Sequence, residues 1–209
     1  LCASRGLGDV YKRQFKYSKV LNVIDKIDDA ISSNISRVII RRNLKALVNQ
    51  FAQYELCYGN RFHINPDGRN IKSTGFTIAG QTDLLYFTDM PNKNINGTLD
   101  GSGKGVIAIV KGDGEQLIVA SAGTVDYIHG EIILNTINIT STEKANNIVE
   151  IQAFPESNDI ISLKDLYLTF SVDNSQINMV KDTITSGEQI SGVGFNVTSS
   201  YSNGALTRG

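Results

Sequence analysis

A chain of 209 residues can bury one good-sized core or two small ones. Apolar residues make up 41% and charged residues 20%, the balance of a folded globular protein rather than a disordered one. The net charge of −1 leaves no broad basic field for nucleic acid, and no run approaches the roughly 18 apolar residues of a membrane span. Cys2 and Cys57 are too few for a disulfide framework, which favours reduced thiols and an intracellular compartment.

The opening segment, residues 1–14, reads LCASRGLGDVYKRQ and lacks both an initiator methionine and hydrophobic periodicity. It is similar to leaders that recur on unrelated reading frames from environmental assemblies. We therefore expect residues 1–14 to be a non-native, disordered leader that carries no function. The rest of the chain is expected to be the C-terminal part of a longer protein.

The first predicted element is a helix over Ser18–Ser32, with Ser18 as its N-cap and a possible break near Asp28. Its apolar residues recur at helical spacing and mark one face: Val20, Ile24, Ile27 and Ile31. We interpret this face as packing against the core, in preference to binding a partner.

Beyond Asn34 the pattern changes to the period of two that is typical of strands. The predicted strands are Arg37–Arg42, Ala52–Tyr58, Phe76–Ile78, Leu84–Phe87, Val106–Val110, Leu117–Ala120, Glu131–Ile139, Ile148–Ala153, Asp165–Asp173 and Ile177–Val180. Turns are predicted at Pro66-Asp67-Gly68, at Asp113-Gly114 and at His129-Gly130.

These elements predict a mainly β fold of the α+β kind, with one N-terminal helix followed by antiparallel sheets. The sheets are expected to be sandwich-like or to form two small β-subdomains. We expect the helix and first strands in residues 15–60, a β-rich domain in residues 61–182, and a Ser/Thr/Gly-rich arm or edge strand in residues 183–209.

The sequence contains no recognisable catalytic or metal-binding motif. His63 and His129 lack zinc-ligand spacing, and Cys57 lies in a predicted strand without a partner base. The segment Asp100–Gly105 fits neither a Walker loop nor a calcium loop. The sequence therefore predicts that the protein is not an enzyme and has no cofactor and no catalytic, cofactor-binding or metal-binding residues.

Carboxylates and arginines leave two further interpretations open. A glycosidase needs two carboxylates across a cleft, and six are available: Asp126, Glu131, Glu150, Asp159, Asp165 and Asp173. Their usual explanation is a structural role beside turns. The basic cluster of Arg37, Arg41 and Arg42 is interpreted as a solvated strand edge that blocks unwanted pairing, rather than as a nucleic-acid patch.

Four sequence blocks, in order along residues 15–180, carry a resemblance to a known family. They are FKYSKVLNVIDKIDDAISSNISRVIIRRNL, Ser73–Phe76 leading to Leu84–Phe87, Gly123–Tyr127 followed by Gly130, and Ser157–Val180. Together they resemble the C-terminal part of the ring-forming baseplate wedge subunit of T4-like tailed phages. The N-terminal part of that family is missing here, and residues from about 183 onward match less clearly.

The resemblance implies a structural virion protein of the tail baseplate, present in the host cytoplasm during assembly. Its implied partners are copies of itself, in a dimer or ring contact, and other wedge proteins, with no nucleic acid and no membrane. The alternative is a non-catalytic carbohydrate-binding β-module of a phage tail or secreted protein. Such modules use Trp or Tyr platforms, whereas this chain has no Trp and spreads its tyrosines over different strands: Tyr54, Tyr58, Tyr86, Tyr127 and Tyr167.

Overall fold

The computed structural model describes residues 13–27, 34–112 and 116–162. It also describes four two-residue strands, at 183–184, 193–194, 201–202 and 205–206. The chain divides into two compact units, Leu1–Leu166 and Tyr167–Gly209. No helix within these described ranges is long and apolar enough to cross a membrane.

The described residues of the first unit include one helix, α1 (Tyr17–Asp25), and a 3-10 turn at Ala145–Asn147. Its strands are β1 (Arg13–Phe15), β2 (Ile40–Lys45), β3 (Phe51–Cys57), β4 (Lys72–Ser73), β5 (Phe76–Ile78), β6 (Leu85–Pro91), β7 (Lys104–Lys111), β8 (Gln116–Asp126), β9 (Glu131–Thr142), β10 (Ile148–Ala153) and β11 (Ile160–Ser162).

Strands β5 to β9 form a closed antiparallel barrel. Each pairs with the next along the chain, and β9 returns to pair with β5. Strand β3 pairs with β9, while β4, β10 and β2 continue the sheet from β6. The mainly β, antiparallel prediction is confirmed. The closed barrel with its additional strands is neither the sandwich-like arrangement nor the pair of small β-subdomains that the sequence suggested.

Alternation along the strands explains which side chains fill the barrel. In β6 the burial pattern alternates strictly, with Leu85 and Phe87 inward. Phe87 stacks on Phe76 of β5, with ring centroids 4.3 Å apart. Residues further round the barrel complete this core: Ile107, Ile109, Val125, Ile132, Leu134 and Ile139. Such burial of aliphatic and aromatic side chains is the main stabilising contribution.

The helix differs from its prediction at both ends and in its packing. It begins at Tyr17 and ends at Asp25, and its N-cap position is Lys16, not Ser18. The backbone N–H of Tyr17 donates instead to Oδ1 of Asp159, at 2.9 Å. No helix residue is fully buried, and Val23 is largely exposed. The core-facing interpretation is therefore wrong for the described helix, because none of its residues is buried or packed against the core cluster.

Other boundaries moved by a few residues. Arg13 and Gln14 pair with Ser162 and Ile161, so the last two residues of the expected leader lie in strand β1. Residues 1–12 lie outside the described ranges. The strand predicted at Arg37–Arg42 begins at Ile40 and ends at Lys45, because its pairing register with β10 starts at Ile40.

Several predictions fall partly or wholly outside the described residues. The strands flanking Asp113-Gly114 pair as a hairpin, with Lys111 opposite Gln116, although the turn itself is not described. Strands predicted at Asp165–Asp173 and Ile177–Val180 also lie outside. In the second unit, β12 (Thr183–Ile184) pairs with β13 (Val193–Gly194), and β14 (Tyr201–Ser202) pairs with β15 (Ala205–Leu206).

Candidate interaction surface

The carboxyl group of Asp89 is a chemically distinctive group that sequence reasoning missed. It has no exposed surface, and it accepts hydrogen bonds from the Tyr127 hydroxyl and the Ile71 backbone N–H, each at 2.6 Å. Burial raises the pKa of Asp89, against the lowering effect of these hydrogen bonds. Because the group is sealed inside the barrel, its role is to join β6 to neighbouring segments. Its inward position in the alternation of β6 was the available signal.

Two asparagine side chains replace missing strand partners. Asn70 accepts from the Phe154 N–H at 3.0 Å and donates to the Phe154 carbonyl at 3.2 Å. Asn60 makes the same two bonds with Ile161, at 3.0 and 2.9 Å. Each amide therefore bonds to both the backbone N–H and the C=O of one residue, and the Phe154 carbonyl also accepts from the His63 N–H at 3.0 Å. The irregular segment between β3 and β4 is held in this way to Phe154, directly after β10, and to Ile161 of β11.

Asp126 and His129 form the turn between β8 and β9. Asp126 Oδ1 accepts from the backbone N–H groups of Ile128 and His129, and Oδ2 lies 3.0 Å from the His129 ring. Partial burial raises the pKa of Asp126. The hydrogen bonds, chiefly those with His129, outweigh burial and hold this pKa below its ordinary value. The expected turn at His129-Gly130 is confirmed, with Gly130 at φ 66°. The pair is explained by turn geometry.

Glu55, Cys57 and Glu131 bring three potential metal ligands together. Cys57 Sγ lies 3.4 Å from Glu55 Oε1 and 3.8 Å from Glu131 Oε1. Cys57 is disulfide-bonded, however, so the expectation of reduced thiols fails at this residue. A disulfide sulfur offers no thiolate to a metal ion. We assign no metal site to this cluster.

The other carboxylates of the sequence analysis are engaged in separate structural contacts. Glu150 pairs with Arg41 at 3.2 Å, and Asp159 accepts from the N-terminus of α1. Asp100 accepts from both the hydroxyl and the backbone N–H of Ser102, which holds the pKa of Asp100 below its ordinary value. Asp165 and Asp173 lie outside the described residues.

The histidine and loop candidates do not converge on a cleft. His63 is exposed, and its backbone carbonyl accepts from Asn70. The Asp100–Gly105 loop borders an open depression beside Arg61 and Ile128. Because Arg61 pairs with Glu156 at 2.9 Å, this depression presents no uncompensated cluster of charge.

Exposed apolar side chains at the β2–β3 turn mark the first part of a candidate interaction surface. Leu47 is 52% exposed and Phe51 75% exposed. The turn is fixed, because the Leu47 N–H donates to the Tyr54 hydroxyl at 2.9 Å and the Asn49 N–H to the Ile139 carbonyl at 2.8 Å. A rigid turn that presents large apolar groups is suited to protein contacts, since little entropy is lost on binding.

A second exposed region lies where β8 leaves β9. The two strands pair from Asp126 to Gly123 and no further, so residues 116–122 of β8 have no partner on that side among the described strands. Leu117 in this part is 51% exposed, and the segment Gln116–Gly123 contains no charged residue. An uncharged open edge is a common site of strand pairing between chains.

The tyrosines do not form a shared platform. Tyr58 and Tyr127 are buried, and Tyr58 donates to the Ile151 carbonyl at 2.8 Å. Tyr54 and Tyr86 are half-buried on different strands, and Tyr167 lies outside the described residues.

Comparison with known proteins found no family model, no characterised protein and no solved structure that matches this chain. Functional inference therefore rests on the chain's own residues.

Proposed function

We propose that this chain is a structural virion protein, a baseplate wedge component of a contractile phage tail that acts through protein–protein contacts. The observation that carries the proposal is the pair of exposed apolar groups, Leu47 and Phe51, on a turn fixed by backbone hydrogen bonds. The ordered four-block resemblance supplies the kind of assembly. Copies of this chain and other wedge proteins are the proposed partners, in the virion tail and in the host cytoplasm during assembly.

The use of the buried polar groups supports a structural role over catalysis. Asp89, Tyr127, Asn60 and Asn70 each bond to groups of the fold itself. A catalytic group needs access to substrate, and the Asp89 carboxyl has none. Hydrogen bonds within the fold thus account for these four polar side chains.

The carbohydrate-binding alternative receives less support. A sugar-binding face needs exposed aromatic rings that lie side by side. Two of the described tyrosines, Tyr58 and Tyr127, are buried instead. The most exposed described aromatic ring is that of Phe51, which lacks a polar group to orient a sugar.

Co-expression with the tail proteins encoded beside this chain tests the proposal. The unmodified chain is expected to co-purify with at least one of them, and the Leu47→Ser/Phe51→Ser double variant is expected to lose that partner without losing thermal stability. The exposed Gln53→Ser substitution on β3 is the matched control and should retain binding. Failure of the unmodified chain to bind any neighbouring tail protein, together with binding to an oligosaccharide array, would favour the alternative.

A further inference from the structure

Strand β2 is an edge strand of the described sheet. Among the described strands it pairs with β10 alone, on one side. The Ala46 N–H donates to the Asn147 carbonyl at 2.7 Å, which fixes the phase of the ladder. Since antiparallel bonds alternate along a strand, the even-numbered residues of β2 point their backbone groups to β10. The N–H and C=O groups of Arg41, Asn43 and Lys45 therefore point outward.

The side chains along this edge are basic. Strand β2 reads IRRNLK, with three cations and no acid. Arg41 is paired with Glu150 at 3.2 Å, whereas Arg42 and Lys45 are exposed and have no acidic partner among the described residues. An incoming strand would thus meet free hydrogen-bonding groups and uncompensated positive charge at the same edge.

We propose that the outer edge of β2 is a docking strand for an extended acidic segment of a second protein of different sequence. The segment would add to the sheet as a further strand beside Arg41–Lys45. Backbone hydrogen bonds would supply affinity, and carboxylates facing the free cations would supply specificity.

The same charges disfavour two other occupants. A second copy pairing β2 with β2 would place arginines and lysines opposite one another, which is unfavourable. Nucleic acid would use the cations but not the ladder of backbone groups, since phosphates need no alternating donors and acceptors. An acidic strand uses both features, and for this reason it is the occupant that the edge fits best.

This inference rests on the proposed function, because it gives the chemistry of one partner in an assembly. Its test is independent, however, since it uses peptides in place of tail proteins. Binding of the peptide without assembly on tail proteins would overturn the proposed function alone. Assembly without peptide binding at β2 would overturn this inference alone.

The probe is a labelled peptide that alternates Glu and Thr, titrated against the full chain by fluorescence anisotropy. A control peptide of the same composition carries N-methyl groups on two successive central residues, which removes a backbone donor whichever side faces β2. We expect saturable binding of the first peptide and at least about tenfold weaker binding of the second.

Two protein variants separate backbone pairing from charge. Asn43→Pro removes an outward N–H while leaving the β2–β10 ladder and every charge intact, because Asn43 does not bond to β10. Arg42→Glu/Lys45→Glu reverses the free charges. Each is expected to weaken binding of the acidic peptide by about tenfold or more. The charge-reversed variant should also gain affinity for a Lys/Thr peptide.

Thermal melts identify any variant that fails to fold. If Asn43→Pro does not fold, the charge-reversed variant and the N-methylated peptide still test the proposal. Equal binding of the plain and N-methylated peptides by the unmodified chain would overturn the inference. So would a single-stranded oligonucleotide that binds the Asn43→Pro variant as tightly as the unmodified chain and displaces the peptide. Absence of saturable peptide binding would overturn it as well.

Discussion

The hydroxyl group of Tyr127 donates a hydrogen bond of 2.6 Å to Oδ2 of Asp89, and both side chains are buried. Oδ1 of the same carboxyl accepts from the backbone N–H of Ile71. One carboxyl group thus joins β6, the turn after β8 and the segment before β4. Stability of the barrel should therefore depend on the protonation of this group and on its two donors.

The first prediction concerns pH. Burial raises the pKa of Asp89 from its ordinary value of 3.8, against the opposing effect of the hydrogen bonds from Tyr127 and Ile71. A folded-state pKa above the unfolded value means that the stabilising contribution is complete below about pH 4 and is lost as pH rises through the folded pKa. We expect the Asp89→Asn variant not to show this fall in stability with rising pH. Urea unfolding of the wild type and the variant from pH 4 to pH 7 measures the free energy of unfolding of each.

Asp100→Asn is the matched control for that series. Asp100 is fully exposed, and hydrogen bonds from Ser102 lower its pKa. Its contribution is therefore fully present above the unfolded pKa and is lost only below about pH 4, so it should stay constant from pH 4 to pH 7. A difference between wild type and Asp89→Asn that stays constant across the pH range would contradict the first prediction.

The second prediction removes the donor. Tyr127→Phe leaves Asp89 Oδ2 buried without its partner, and we expect it to lower the free energy of unfolding by about 1–3 kcal/mol. Tyr86→Phe, at a half-buried outward position of β6, should change it by less than about 0.5 kcal/mol. Chemical denaturation of the two variants makes the comparison, and equal losses would show that the Tyr127 hydroxyl has no special role.

The third prediction uses two glycines with the same backbone requirement. Gly68 has φ 73° and Gly80 has φ 85°, so alanine is strained at both positions. A Cβ at Gly68 would overlap the carbonyl oxygen of Asp89, whereas nothing lies within 4 Å at Gly80. We expect Gly80→Ala to cost about 1 kcal/mol and Gly68→Ala about 1–3 kcal/mol more. Thermal melts that rank the variants in the reverse order would contradict this.

Local patterns explain why much of the barrel could be predicted from sequence. The strand predicted at Ala52–Tyr58 shows the expected alternation, with Leu56 and Tyr58 buried and Gln53 exposed, because alternation is a property of neighbouring residues. The Pro66-Asp67-Gly68 turn was found for a similar reason. Gly68 adopts the positive φ that the turn demands, and its N–H donates to the Asn65 carbonyl at 2.8 Å.

Long-range contacts explain what the sequence could not provide. Asn60 bonds to Ile161 across 101 residues of sequence, and Asn70 bonds to Phe154 across 84. No local pattern encodes such distances. The helix was mispredicted for a related reason. Its start is stabilised by Asp159, 142 residues away from Tyr17, rather than by a local cap.

The edge chemistry of β2 was anticipated in part. Arg41 and Arg42 were interpreted as a solvated strand edge, and both lie on the edge strand β2. The salt bridge from Arg41 to Glu150 depends on the pairing of β2 with β10, which sequence alone could not establish. The third arginine, Arg37, lies before the strand, where its guanidinium sits 5.3 Å from the centre of the Phe154 ring.

The last prediction concerns Asn70, whose amide accepts from the Phe154 N–H and donates to the carbonyls of Phe154 and His63. Asn70→Ala removes the acceptor of the Phe154 N–H and the side-chain donor to the His63 carbonyl, while the Phe154 carbonyl keeps the His63 N–H as its donor, so we expect a loss of about 2 kcal/mol. The exposed Asn96→Ala is the control and should be near neutral. Hydrogen exchange gives a local readout, because the Phe154 amide should exchange faster in Asn70→Ala than in either the control or the wild type. Unchanged protection of that amide would mean that Asn70 does not hold the segment in place.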